Sequence, residues 1–121
     1  MRVPGNVTRP RVLSSVLKWE AHPDYSRENG VAGADLVLGQ VLGKLTATGK
    51  LVPWSPAAVD GSEDVCGFAH DDTAADDLMV RSARQTLASA SGLVWPAGMT
   101  AEQKADALAQ LAALGIIVRN Y

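Results

Sequence analysis

The stretch Ala34–Pro56, ADLVLGQVLGKLTATGKLVPWSP, sets narrow limits on the fold, because it holds two short apolar runs around a Thr-Gly-Lys turn. Val37–Leu45 and Lys50–Trp54 are too short and too punctuated by Gly and Pro for helices, so they predict a pair of strands. Gly39 and Gly43 frame Gln40-Val41-Leu42, where missing side chains imply tight bends or close backbone approach. Pro53 lacks a ladder donor, which puts it at a strand end or on a sheet edge.

The same grammar continues along the chain. Asp60-Gly61 marks a turn into a strand at Val65–His70, and Asp71–Asp77 (DDTAADD) reads as an acidic surface loop before a strand at Leu78–Arg81. Arg81–Ser91 suits helix or strand from its residues alone. Near the C-terminus Thr100 stands three residues ahead of Gln103, the capping-box spacing, which predicts a helix from Ala101. Its apolar face is expected along Ala101, Ala105, Leu108, Leu111 and Ala112, with Glu102, Gln103, Lys104, Asp106 and Gln110 in water. Gly115 supplies a left-handed stop, and Ile116-Ile117-Val118 reads as a buried final strand.

The first third is less regular. Residues 1–11 hold Pro4, Gly5, Pro10 and three arginines, and bury too little to order themselves. Val12–Glu20 (VLSSVLKWE) fits helical spacing and an extended strand about equally. Ala21–Gly33, with Pro23, Gly30 and Gly33 among polar residues, reads as a linker. The expected division is an arm and linker over residues 1–33 and a β-rich domain over residues 34–121.

The unit G-x-V-L-G-K…G-K-L-V-P-W from Gly39 to Trp54, the small-residue strand Gly67-Phe68-Ala69, and Leu93-Val94-Trp95-Pro96 before a short helix resemble, in this order, the lambda-type phage head decoration proteins. The resemblance runs over about Leu36–Val118 and favours strand for Arg81–Ser91. It implies a mainly β (α+β) fold: a small β-clip-like domain with one or two short helices and an extended N-terminal arm. It also implies homotrimers on the outside of a phage head at local three-fold positions, stabilising the shell against internal DNA pressure. The partner it implies is the major capsid protein, and the location is the virion, after synthesis in the host cytoplasm. On that reading Val12, Leu13, Val16, Leu17 and Trp19 form a capsid-binding arm that adds as a strand to a capsid-protein sheet. Trp54 and Trp95 are candidate core or trimer anchors, since tryptophan is enriched in both settings.

Composition and chemistry agree with a binding protein. One cysteine, Cys66, rules out an internal disulfide, and its apolar surroundings suggest a small buried core residue. The sequon Asn6-Val7-Thr8 would matter only in a secreted protein, and no apolar segment follows the N-terminal arginines to make a secretory signal. No apolar run reaches membrane-spanning length. Residues 1–30 carry a net charge of +2 and residues 31–77 a net −6. The body therefore lacks the basic face of a nucleic-acid binder. His22 and His70, with Asp24, Asp71 and Asp72 nearby, raise an acid–base or metal hypothesis, but both read better as solvated surface histidines. Cys66 and His70, four residues apart on a strand, would lie roughly 13 Å apart, too far for a thiolate pair. DDTAADD lacks the Gly and oxygen spacing of a calcium loop. No phosphate loop or nucleophile elbow stands out. The expectation is no enzyme, no cofactor and no metal. The alternatives are another virion adaptor with a β-clip-like body, or a small metal-dependent hydrolase using His70.

Overall fold

The Thr-Gly-Lys turn closes a hairpin. In the computed structural model, which describes residues 12–120, β3 (Val41–Lys44) pairs antiparallel with β4 (Leu51–Pro53), and Gly49 turns the chain at φ +73°. Pro53 ends the outer strand, where no ladder donor is needed. The expected mobility of residues 1–11 and the sequon Asn6-Val7-Thr8 lie outside the described residues.

The described residues form eight strands in two sheets, and only one helix exceeds a single turn, so the protein is mainly β. The first sheet has the order β2-β6-β5-β3-β4, adding β2 (Arg27–Val31), β5 (Val65–Ala69) and β6 (Leu78–Ser82). Beyond β2, Ala32 bridges to Leu51 of β4, and the Gly33 N–H donates to the Leu51 carbonyl at 2.7 Å. The two outer strands are thereby drawn together. The sheet curls around Ala32, Leu36, Leu42, Leu51, Ala69 and Met79, a small dry core. At Gly67, φ is +132° and an added Cβ would lie 1.9 Å from the Ser82 carbonyl oxygen, so only glycine lets β5 and β6 approach this closely.

The second sheet has the order β1-β7-β8, with β1 (Leu17–Glu20), β7 (Thr86–Ser89) and β8 (Ile116–Arg119). β7 thus takes the strand option within Arg81–Ser91 and then tightens into a 3-10 turn over Ala90–Gly92. The larger core lies between the sheets and α2 (Ala101–Ala113). It is built on Val16, Leu38, Val41, Trp54, Val65, Phe68, Ala88, Leu93, Ala107, Leu111 and Ile116. α2 starts where expected: Thr100 Oγ1 accepts the Gln103 N–H at 3.1 Å, and Gln103 Oε1 accepts the Thr100 N–H at 2.9 Å. Gly115, at φ +82°, ends it.

Four expectations need correction. Val12–Glu20 is not separate from the domain. After a 3-10 turn at Leu13–Ser15, Val16 is fully buried, and β1 pairs antiparallel with β7 from Leu17↔Ala88 to Glu20↔Thr86. Ala21–Gly33 is not a linker either. One turn of helix, α1 (Pro23–Ser26), leads into β2, whose residues pair in unbroken register from Arg27↔Ser82 to Val31↔Leu78. The boundary placed after residue 33 therefore falls inside the packed body. The buried face of α2 is rotated from the expected one: Ala107 and Leu111 are buried, whereas Ala101, Ala105 and Ala112 are exposed. Finally, β8 buries Ile116 but exposes Ile117, because it is an outer strand with one face in water.

Candidate interaction surface

The register of the three-stranded sheet sets three apolar side chains in one row. Trp19 on β1 pairs with Leu87 on β7, and Leu87 pairs with Ile117 on β8. Alternation turns the neighbouring Thr86, Ala88 and Ile116 inward, which leaves Trp19, Leu87 and Ile117 on the outer face. Trp19 is 57% exposed and Ile117 44% exposed, with half-buried Leu87 between them. Large apolar side chains held side by side at a surface are characteristic of protein–protein contacts, and tryptophan is the most enriched residue at their energetic centres. Sequence reasoning found Trp19 but missed Leu87 and Ile117. Ile117 sits in an apolar triplet that conceals which member faces out, and Leu87 in a segment whose period is ambiguous.

The other arm residues divide. Val16 faces the core, and Leu13 and Leu17 are half-buried against it. Val12, 54% exposed, opens onto a cleft of about 820 Å³ between the 3-10 turn and the Asp71–Asp77 loop. Leu13, Asp71, Asp72, Asp77 and the largely exposed Leu78 also line it.

Trp54 is a core residue, 1% exposed, and its Nε1–H donates to the Glu63 carbonyl at 2.8 Å. The half-buried Trp95 meets it edge to face, with ring centroids 6.1 Å apart, and the Lys104 ammonium lies 5.6 Å from the Trp95 ring. The pair joins the β4 end to the start of α2.

His70 is not the solvated residue expected. It is 3% exposed, its ring stacks at a tilt on Phe68, and its Nε2 lies 2.6 Å from Ser82 Oγ. Burial, helped by the nearby Arg27 guanidinium, lowers its pKa to about 4, so the ring is neutral near pH 7. His22 is on the surface, where Nδ1 accepts the Asp24 N–H and caps α1. Cys66 is half-buried against the smaller core rather than enclosed by it, and burial raises its thiol pKa. A nearly buried Ser–His contact, with no carboxylate hydrogen-bonded to the ring among the described residues, has the form of a structural hydrogen bond. Among the described residues, no three His, Cys, Asp or Glu side chains converge in a metal-binding group, and no helix is long and apolar enough to cross a membrane.

A family model described as bacteriophage lambda head decoration protein D matches residues 6–116, nearly the whole chain. No curated protein matches it.

Proposed function

The chain belongs to the bacteriophage lambda head decoration protein D family, and from that premise we propose that it cements a phage shell from outside, as homotrimers at local three-fold positions on the major capsid protein. It is a virion structural protein of the capsid by family, and the family is one of decoration proteins rather than of enzymes. The proposed work is mechanical. Each copy buries surface across a seam between capsid subunits, and repetition over the shell offsets the outward pressure of packaged DNA.

The observation that supports this reading is the Trp19–Leu87–Ile117 row, an apolar strip across the outer face of the three-stranded sheet. We place capsid contact on this strip and on Val12. β1 pairs with β7 along one edge only, so strand addition to a capsid-protein sheet can use its outer edge at Leu17–Glu20 or the residues before Val12. Trp95 keeps surface for a contact between subunits of the trimer, while Trp54 serves the core. The curled sheet is read as the β-clip of this architecture. The hydrolase alternative is poorly served: His70, its required base, is enclosed and bonded to Ser82.

Shells of the phage that encodes the protein, stripped of decoration, provide the assay. Trp19→Ser with Ile117→Ser changes only exposed side chains, so the variant should fold. Loss of a central tryptophan contact costs about 2 kcal/mol or more, so binding to shells should weaken at least about thirtyfold. Unchanged binding would remove the strip from the interface. Failure of the wild-type chain to bind shells would overturn the decoration reading itself.

A further inference from the structure

We propose that the cleft between the Leu13–Ser15 turn and the Asp71–Asp77 loop is a docking groove for the chain's own residues 1–11, with Arg9 and Arg11 set against its carboxylates. The cleft is large, about 820 Å³, and mixed in character, with apolar wall at Leu13 and Leu78 and carboxylates at Asp71, Asp72 and Asp77. Leu78 is 83% exposed, a large apolar side chain left in water at the start of a paired strand. None of the ion pairs among the described residues uses Asp71, Asp72 or Asp77. Asp72 accepts the Leu38 N–H at 2.8 Å through one oxygen, and the nearest ion pair in the loop joins Lys50 to Asp76.

Two observations select the occupant. Val12, the first described residue, lines the cleft, so the chain before it is tethered there. Arg9, three residues earlier, lies within about 11 Å of Val12 even when fully extended, and Arg11 is adjacent. The charge is also complementary. Residues 1–11 hold Arg2, Arg9 and Arg11 and no acid, while residues 31–77 carry a net −6. Arginine engages carboxylates through two parallel N–H donors, which suits a groove with several acids at its rim. Val7 would meet the apolar wall. The free protein would thus stow its basic leading segment on its own acidic face.

Disulfide capture on the free full-length protein tests this without any shell, so its outcome is separate from that of the decoration reading. In a Cys66→Ala background, Thr8→Cys is paired with Ala74→Cys in the cleft wall, or with Val59→Cys, an exposed loop position, as the control. Docking predicts capture of residue 74 much faster than of residue 59. Asp71→Asn with Asp77→Asn, both at exposed positions, should slow capture of residue 74 about fivefold, the effect of two exposed ion pairs. Salt near 1 M, where the screening length falls to about 3 Å, should do the same. Equal rates at 74 and 59, or no response to charge removal, would overturn the proposal. So would cross-links joining two chains in a mixture of isotope-labelled and unlabelled protein, which would assign the groove to a second copy.

Discussion

His70 is a neutral imidazole in a nearly buried site. Ser82 Oγ occupies its Nε2, Phe68 covers one face, and the charged groups near it pull in opposite directions: Arg27 disfavours protonation, while Glu20 and Asp71 favour it. Burial decides, and the folded-state pKa falls from 6.5 to about 4. The sign follows from linkage. As pH drops below about 6.5 the unfolded chain takes up a proton that the folded chain refuses, so stability falls until the folded pKa is reached and then levels off. The loss over that window is about 3 kcal/mol, since each pH unit between the unfolded and folded pKa costs about 1.4 kcal/mol. Urea unfolding between about pH 7 and pH 4 should show it, and His70→Gln, which keeps a polar atom for Ser82, should flatten the curve. A wild-type midpoint that does not fall between pH 6.5 and pH 4.5 would contradict the buried neutral state. The sequence sets His22 in a polar, Pro-containing stretch and His70 at the end of an apolar strand, but both lie near aspartates, and only the pairing of Phe68 with Ser82 across β5 and β6 encloses His70.

Elements were legible wherever their signal is local. The Thr100–Gln103 box, the Gly115 stop and the Thr-Gly-Lys hairpin each depend on a few adjacent residues, and each lies where those residues imply. β2 was not legible, because RENGV has weak strand propensity and an interior Gly30. Its order comes from β6 opposite and from ion pairs at its first two residues, Arg27–Glu20 and Glu28–Arg84. The rotated face of α2 has a similar cause. Gln110, assigned to water by its polarity, turns inward, and its Oε1 accepts the Val65 N–H at 2.7 Å while its Nε2 donates to Asp106. The helix thus satisfies a backbone donor at the start of β5, and its orientation follows that bond as well as the apolar stripe. Gln110→Ala should leave the partly buried Val65 N–H unpaired and cost about 1–3 kcal/mol, well above the few tenths expected of an exposed helix position gaining alanine. Amide exchange at Val65 should accelerate in the variant. An unchanged rate together with unchanged stability would mean that the bond is dispensable.

At the scale of the whole molecule, the structure changes what the leading segment does. A chain begun at Val12 keeps every described contact. A chain begun at Ala21 loses β1, the fully buried Val16, the half-buried Leu13 and Leu17, and the Ser89 N–H bond to the Val16 carbonyl at 2.8 Å. It also uncovers Gly92, packed so tightly that an added Cβ would lie 2.7 Å from the Val16 Cα. Burial of one valine contributes about 1.5–3 kcal/mol, and the two leucines and the strand pairing add to it, against a total stability for such a domain of about 5–15 kcal/mol. The two truncations should therefore behave differently. The chain from Val12 should melt close to the full-length protein, and the chain from Ala21 about 10–20 °C lower. The comparison also governs any binding experiment. Loss of shell binding after removal of residues 1–20 would mix a missing contact with a damaged sheet, whereas loss after removal of residues 1–11 would report on contact alone. Equal melting of the two truncated chains would mean that β1 is an appendage after all, and the proposed contact at Trp19, Leu87 and Ile117 would lose its support in the sheet.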